Sequence, residues 1–331
     1  MNHDILFEIL EVDEENLRKT LDLEISKPLH LLSKEEKLRV IENEKLDLNI
    51  LGYGEISTVI EIQCEKLGKT KYVYKKLPVF NDYHNVLKYK EVFFEYLKLL
   101  KEIGLNLPEQ DLKILERESG KYVIYVKQEK VAEDKIGNKL IHKLSNEECI
   151  LLIERILREL LKVYEYNQVE GKIKVGIDGQ ISNWACLDDK LIYLDTTTPL
   201  FRINNIEQLE TEVFLKNTPS FLKLFIKKFF LEKVLGRYYS LREVIVDLIA
   251  NLFKEKKEEI INLVIKFSND FLNKNTSRKF SKLTYEEMEK YYKFDSFVWR
   301  TYQSSRKIDR FFTTKILRKE YDVLIPEKIE R

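Results

Sequence analysis

Residues 45–77 read KLDLNILGYGEISTVIEIQCEKLGKTKYVYKKL and interrupt a chain whose pattern is otherwise mostly helical. Apolar residues alternate with polar ones before the glycines, and β-branched and aromatic runs follow at 59–64 and 71–75. Such alternation and such runs are typical of strands, while the Leu67-Gly68-Lys69 step between them is typical of a turn. The stretch therefore predicts a three-stranded antiparallel meander.

Helical periodicity accounts for most of the remaining chain. It predicts a helix over 86–103, which Gly104 would terminate, and a long helix over 150–166. Capping boxes predict two helix starts, one formed by Ser145 with Glu148 and one by Thr284 with Glu287. Further strands are predicted over 121–131, 172–177 and 190–194, and from residue 208 onward the pattern is helical again.

These elements predict an α+β fold in three parts. Residues 1–44 form a charged helical extension, 45–131 a small lobe built on an antiparallel sheet, and 132–331 a larger, mostly helical lobe. No internal repeat and no low-complexity linker separates the parts.

Composition narrows the functional classes. The 331 residues are 44% hydrophobic and 34% charged, and no apolar run reaches the roughly 18 residues that span a bilayer. A net charge of +1 does not indicate nucleic-acid binding. Three widely spaced cysteines and an acidic start without a signal-peptide pattern favour the cytoplasm. The four histidines form no ligand or nucleophile pattern, so carboxylates and lysines must carry any chemistry.

The first candidate site is the glycine loop of the meander. Gly52 and Gly54 let the backbone approach a phosphate, Ser57 follows them, and a strand rather than a helix comes next. Lys75, on the third strand, could bind phosphate oxygens while Glu91 or Glu95 of the next helix holds it. The alternative is an ordinary hairpin with solvated lysines and glutamates.

The second candidate site lies between 175 and 197, VGIDGQISNWACLDDKLIYLDTT. Asp178 and Asn183 stand five residues apart in a loop, and Asp195 ends the next apolar strand. Phosphoryl transfer needs oxygen ligands for Mg²⁺, which Asn183 and Asp195 supply, and a carboxylate such as Asp178 to orient the attacking hydroxyl. The alternative is a hairpin in which Asp, Gly and Asn only form turns, with Asp188-Asp189 at its tip.

In order, these features resemble the protein-kinase-like superfamily, most closely its aminoglycoside- and choline-type small-molecule kinases. The resemblance covers roughly residues 45–200: a G-x-G-x-x-S-x-V loop, a strand lysine, a helix glutamate, D-x-x-x-x-N and a strand-ending Asp. It implies a two-lobed kinase-like fold, ATP and Mg²⁺ as cofactors, and an adenine contact by the backbone near Gln128. Gly176 stands at the family's usual histidine, and Asp195-Thr196-Thr197 replaces D-F-G.

The sequence therefore predicts an ATP- and Mg²⁺-dependent phosphotransferase acting on a small hydroxyl- or amino-bearing molecule. Two alternatives stay open: a catalytically inactive, kinase-shaped binding or regulatory protein, and transfer of a nucleotidyl group. Residues 215–240 carry basic residues and phenylalanines at helical spacing, a pattern of a core helix or of a membrane-surface contact. The acceptor is not identified by sequence.

Overall fold

The computed structural model describes residues 2–21, 27–54, 56–65, 71–169, 171–210, 235–318, 321 and 324–325. In these ranges the chain combines α-helices with small antiparallel sheets. It divides into two compact units. Unit 1 comprises Met1–Glu91, Pro108–Lys130 and Asp322–Leu324, and unit 2 comprises Val92–Leu107, Val131–Tyr321 and Ile325–Arg331.

Unit 1 is built on a five-stranded antiparallel sheet. Its strands are β1 (Asp47–Tyr53), β2 (Thr58–Gln63), β3 (Tyr72–Lys76), β4 (Gln110–Glu116) and β5 (Tyr122–Glu129). They lie in the order β1-β2-β3-β5-β4, so β5 enters the sheet between β3 and the edge strand β4. The predicted meander is confirmed as β1–β3. The edge strand β4 was not predicted, because only one of its seven residues, Leu112, is buried.

Three helices cover one face of this sheet. They are α1 (Asn2–Val12), α2 (Glu14–Leu21) and α3 (Lys34–Glu44). Ile9 and Leu10 of α1 are fully buried in one cluster with Ile60 of β2 and Tyr125 of β5. The helical segment predicted at 1–44 therefore supplies the hydrophobic core on that side of the sheet, and its apolar stripe is the reason that it folds there.

The same face of the sheet carries a layer of partly buried ion pairs and hydrogen bonds. Asp13 is 3% exposed. Its carboxylate accepts a 2.7 Å hydrogen bond from the Tyr74 hydroxyl and pairs with the Lys127 ammonium. Glu8 of α1 accepts from Arg117 Nε at 2.7 Å and from the Tyr125 hydroxyl at 2.5 Å. Burial, followed by the nearby Asp13 charge, raises the pKa of Tyr74 well above its ordinary value, so this phenol remains a donor.

Unit 2 is dominated by helices. A long helix, α4 (Tyr83–Ile103), begins in unit 1 and ends in unit 2. The following elements of unit 2 are α5 (Gly137–Leu140), α6 (Asn146–Val169), β6 (Ile173–Val175), β7 (Trp184–Leu187), β8 (Lys190–Tyr193), β9 (Phe201–Ile203), β10 (Ile206–Glu207), α7 (Leu241–Lys254), α8 (Ile261–Asn275) and α9 (Tyr285–Phe311). The strands form a β10-β9-β6 sheet and a β7-β8 hairpin.

Capping explains where several of these helices begin and end. The Ser145–Glu148 capping box is confirmed, since each side chain bonds the other residue's backbone N–H. Gly104 follows α4 with φ +91°, as the predicted helix end requires. At α9 only half of the predicted box forms. The Thr284 hydroxyl accepts from Glu287 N, but the Glu287 carboxylate binds the Arg242 guanidinium at 2.8 and 2.7 Å.

Two predictions fall on residues outside the described ranges. The turn at 67–69 is one of them, and most of the basic stretch at 215–240 is the other. Of that stretch, Leu235 and Tyr238 are described and are buried in a small cluster with Leu200. Among the helices that the structure describes, none combines the length and the apolar character needed to cross a bilayer.

Replacing Asp13 by alanine is expected to destabilise the protein by about 2–3 kcal/mol, because it leaves the buried Tyr74 hydroxyl and the half-buried Lys127 ammonium without their acceptor. Urea unfolding measures this change. The control is Glu118→Ala, which breaks an exposed pair with Lys34 and should cost less than about 1 kcal/mol. Equal losses in the two variants would contradict a structural role for the buried pair.

Candidate functional site

The loop that carries Asp178 starts at the end of β6, and a side chain of α6 fixes that starting point. Asn167 Nδ2 donates to the Val175 carbonyl at 2.7 Å, and Val175 N donates to Asn167 Oδ1 at 2.7 Å. Both hydrogen bonds are buried. Because the amide uses a donor and an acceptor against one residue, it acts as a clamp on the strand end three residues before Asp178.

Two glycines let this loop pack closely. A Cβ on Gly179 would lie 2.5 Å from Val244 Cγ1 and 3.3 Å from Leu160 Cδ1. A Cβ on Gly176 would lie 3.1 Å from Leu200 Cβ and from the Tyr239 ring. The backbone on both sides of Asp178 therefore approaches neighbouring side chains at distances that favour glycine, and this packing sets the position of the carboxylate.

Hydrogen bonds join Asp178 to the segments that carry the two other predicted residues. Asp178 Oδ1 accepts from Gln180 N at 3.0 Å, and Asn183 Nδ2 donates to the Asp178 carbonyl at 3.4 Å. The Asn183 carbonyl accepts from Leu194 N at 2.8 Å, and Leu194 directly precedes Asp195. These bonds lie within unit 2 and place the metal-ligand candidates Asn183 and Asp195 on adjacent segments.

Tyrosines surround the same loop. The Tyr96 hydroxyl, on α4, donates to the Gly176 carbonyl at 2.9 Å, and Asp178 N donates to the Tyr193 hydroxyl at 3.3 Å. Burial raises the pKa of both phenols well above the ordinary value. At Tyr193 the nearby Tyr96, Asp195 and Asp178 add to the shift. Both phenols therefore stay protonated and serve as hydrogen-bonding groups.

A third carboxylate, Asp247 of α7, belongs to this cluster and was missed from the sequence. Asp247 is 2% exposed. Its Oδ1 accepts from the Tyr291 hydroxyl at 3.0 Å and from Asn251 Nδ2 at 3.3 Å, whereas its Oδ2 is buried without a hydrogen-bond partner among the described residues. Arg237 donates to the same Tyr291 hydroxyl at 2.7 Å. A lone Asp in an apolar helix was the available signal, and nothing in the sequence linked it to Asp178.

The surroundings of Asp178 raise the pKa of its carboxyl group. Burial raises the pKa of its carboxyl to about 8, and the charges of Asp247 and Asp195 contribute to the shift in that order. The hydrogen bond from Gln180 N and the Arg237 charge act in the opposite direction but are weaker. The carboxyl thus titrates near neutral pH, which is the range that suits a proton acceptor in catalysis.

In unit 1 the sheet register places two of the predicted phosphate-binding residues, Gly52 and Lys75, in one row. Gly52 is opposite Val59, Val59 is opposite Lys75, and Lys75 is opposite Val126. Directly opposed residues share a face, and this row is on the face opposite Tyr74 and the α1–α3 helices. Lys75 is 6% exposed.

A backbone hydrogen bond closes the turn of the glycine loop. Gly54 N donates to the Ser57 carbonyl at 2.8 Å. A Cβ on Gly54 would lie 3.0 Å from that same carbonyl oxygen, so the turn is tight at this point. Residue 55 of the loop lies outside the described ranges.

The remaining predicted nucleotide-binding residues lie on two other elements, Glu91 and Glu95 on α4 and Gln128 on β5. Glu91 is exposed on the part of α4 that belongs to unit 1, and Glu95, in unit 2, pairs with Lys98 at 3.2 Å. Gln128 is 4% exposed and is flanked by β3 and β4, opposite Val73 and Gln110. Its side-chain Oε1 is buried without a hydrogen-bond partner in the described part of the chain. The adenine contact near Gln128 stays a prediction.

The predicted metal ligands are one amide and one carboxylate rather than a cluster of acids. Within the described ranges no three His, Cys, Asp or Glu side chains come together as a metal-binding group. Asn183 directs its side-chain nitrogen toward the Asp178 carbonyl, which leaves the amide oxygen as its remaining polar atom. Asp195 Oδ1 accepts from Thr197 Oγ1 at 3.3 Å. The pair thus offers oxygen ligands, the kind that a hard divalent cation prefers.

Comparison with known proteins places the chain in a family. A family model described as a family of unknown function (DUF6206) matches residues 41–310, which is most of the chain. The chain therefore belongs to this family. No curated protein matches it.

Gly179→Ala is expected to destabilise the protein by about 1–3 kcal/mol, because the added methyl group would overlap the stiff Val244 side chain. Thermal or urea unfolding measures the loss. Gly171→Ala is the matched control, since a Cβ there has no atom within 4 Å. A Gly179→Ala variant as stable as the control would show that the Asp178 loop is not held by this packing.

Asp178→Asn is expected to change how stability depends on pH. Because the folded-state pKa of Asp178 is raised from 3.8 to about 8, the folded protein binds more protons than the unfolded chain between these values. Wild-type stability therefore falls as the pH rises through that window, and the variant lacks this loss. The variant should gain at least about 1 kcal/mol relative to wild type between pH 5 and pH 8.

Urea unfolding at several pH values tests this expectation. Asp189→Asn, at the exposed tip of the β7-β8 hairpin, is the control and should show no pH-dependent gain. A constant difference between Asp178→Asn and wild type from pH 5 to pH 8 would contradict the raised pKa.

Proposed function

We propose that this member of the DUF6206 family is an ATP- and Mg²⁺-dependent phosphotransferase that acts on a small hydroxyl- or amino-bearing molecule. The two-lobed kinase-like architecture, with unit 1 as the sheet lobe and unit 2 as the helical lobe, is part of the proposal. The observation that carries it is the arrangement of Asp178, Asn183 and Asp195, which hydrogen bonds hold on two adjacent segments of unit 2.

In the proposed reaction Asp178 acts as the proton acceptor. Its carboxylate takes the proton of the acceptor hydroxyl or amine, whose oxygen or nitrogen attacks the γ-phosphorus of ATP. The bond from that phosphorus to the β–γ bridging oxygen breaks, and ADP leaves with the electron pair. A pKa near neutrality lets Asp178 accept this proton and later release it to water.

The residues around Asp178 fit a divalent cation. Asn183 and Asp195 present an amide oxygen and a carboxylate, which are the hard ligands that Mg²⁺ prefers. The raised pKa of Asp178 reflects, besides burial, negative charge from Asp247 and Asp195 that a nearby cation would offset. When bound there, Mg²⁺ would neutralise charge on the transferred phosphoryl group.

Unit 1 has a role in nucleotide binding under the same proposal. Lys75 contributes an ammonium group for phosphate oxygens, and Gly52 and Gly54 allow the backbone to approach them. The register that puts Gly52, Val59 and Lys75 in one row supports this role. A lysine placed only to be solvated would be exposed, whereas Lys75 is 6% exposed.

Thermal unfolding with and without ATP–Mg²⁺ tests the nucleotide site. At about a hundred times its dissociation constant the ligand should add roughly 2.7 kcal/mol, which raises Tm by a few degrees. Asp195→Ala should lose the Mg²⁺-dependent part of this shift, and Lys75→Met should lose most of the shift. Asp189→Asn is the control and should behave as wild type. Absence of a shift with every nucleotide would overturn the proposal and favour a binding or regulatory protein.

Product mass separates phosphoryl from nucleotidyl transfer. Once the Tm shift with ATP–Mg²⁺ is established, the protein is incubated with ATP–Mg²⁺ and a panel of small alcohols and amines. The masses of the products are then measured by mass spectrometry. A gain of one phosphate supports the proposal. A gain of one AMP would assign the same residues to nucleotidyl transfer instead. Asp178→Asn should lower turnover by on the order of a hundredfold or more.

A further inference from the structure

Helix α9 and the π-helical turn that follows it expose an unusual amount of apolar surface. Each of seven large apolar side chains between residues 294 and 317 is at least 50% exposed. We call them the exposed stripe: Phe294, Phe297, Ile308, Phe311, Phe312, Ile316 and Leu317. Isolated exposed apolar residues are ordinary, but a group this large along one element marks an interaction surface.

The four stripe residues that belong to α9 share one side of the helix, and the other three follow its end. Phe294 and Phe297 are three residues apart, as are Ile308 and Phe311, and the exposed residues 301 and 304 continue the same side between the two pairs. The other side is buried within unit 2 and includes Arg306, which is 2% exposed. The helix is therefore anchored by one side while the other is presented outward.

Basic residues accompany the stripe. Between residues 293 and 318 the sequence has seven basic residues and two acidic ones. Five of the basic residues are exposed, whereas both acids are half-buried. The exposed five are Lys293, Arg300, Arg310, Lys315 and Arg318, of which Lys293 pairs with Glu289, and the acids are Asp295 and Asp309. Residues 293–318 therefore carry a net charge of +5, whereas the protein as a whole carries only +1. The positive charge is concentrated in this segment, which follows the acidic first turns of α9.

We propose that the exposed stripe and its basic residues bind the surface of an anionic membrane. Phenylalanine, isoleucine and leucine side chains would enter the boundary between headgroups and acyl chains, and the arginines and lysines would contact lipid phosphates. An amphipathic helix of this kind lies in the plane of the interface and does not span it. The long basic side chains reach the headgroups while the apolar side chains insert.

Charge makes a second copy of this chain the poorer partner. In a two-fold dimer the stripe would pack against an identical stripe, and the basic residues of both copies would face each other. Like charges opposed across an interface cost free energy, whereas an anionic lipid surface complements them. The stripe also lies on an outward helix side rather than in a groove, which matches a broad surface better than an inserted peptide.

Vesicle flotation with the full chain tests the proposal. The probes are phosphatidylcholine vesicles with and without phosphatidylglycerol, at low and at high salt. Wild type should float with the anionic vesicles only, and high salt should weaken binding. Phe311→Ser/Phe312→Ser and Arg310→Gln/Lys315→Gln/Arg318→Gln should each lower the apparent partition coefficient by at least about tenfold.

The matched control is Leu151→Ser/Leu263→Ser, which removes two exposed apolar side chains from other helices and should leave binding unchanged. Circular dichroism and Tm confirm that every variant is folded. The proposal is overturned by absence of flotation, by equal binding to neutral vesicles, or by an equal loss in the control. Sedimentation equilibrium showing a dimer that Phe311→Ser/Phe312→Ser dissociates, with no vesicle binding, would assign the stripe to self-association.

Discussion

The crowding of three carboxylates, with Asp247 buried and Asp178 and Asp195 half-buried, is the constraint on which the centre of unit 2 depends. The ionised form of Asp178 is disfavoured by loss of solvent and by the charges of Asp247 and Asp195. The chain holds Asp178 there because the Asn167 clamp, the packing at Gly179 and the bond from Asn183 each fix part of the loop. A surface loop free to relax would move such a group into water. The fold keeps Asp178 in place although the repulsion between the carboxylates lowers the stability of the folded protein. Destabilising charge arrangements of this kind are typical of functional sites.

In unit 1 the carboxylates against the helix-covered sheet face have positively charged partners. Asp13 and Glu8 each have a positively charged partner and a tyrosine hydroxyl, so both carboxylates are matched by donors. This pairing lets the helices of residues 1–44 pack closely on a sheet face that carries lysines and tyrosines. The opposite face carries the row that includes Gly52 and Lys75. Strand alternation therefore puts these two carboxylates on the face opposite the row to which we assign nucleotide binding.

Much of the secondary structure could be predicted from local patterns. The β1–β3 meander, the helix ending before Gly104, the helix start at Ser145 and the Asp188-Asp189 hairpin tip all follow from short-range chemistry, and all are confirmed. Local sequence patterns failed to predict features that depend on contacts with residues distant in the sequence. Strand β4 buries only Leu112 and so lacks a strand signal of its own. Glu287 binds Arg242, 45 residues away, rather than completing its capping box.

For the candidate site, too, the local spacings were predictable from the sequence and the long-range contacts were not. By itself the sequence determined which residue types were present and which spacings were local: the two glycines, Lys75 on a strand, and Asp178, Asn183 and Asp195 within 18 positions of one another. Only the tertiary structure decided that Asp247 joins them, that Asn167 clamps the loop and that seven apolar residues of α9 and the turn after it are exposed. The physical reason is that hydrogen bonding and turn formation act between near neighbours, whereas burial and electrostatic coupling depend on which distant segments the fold brings together.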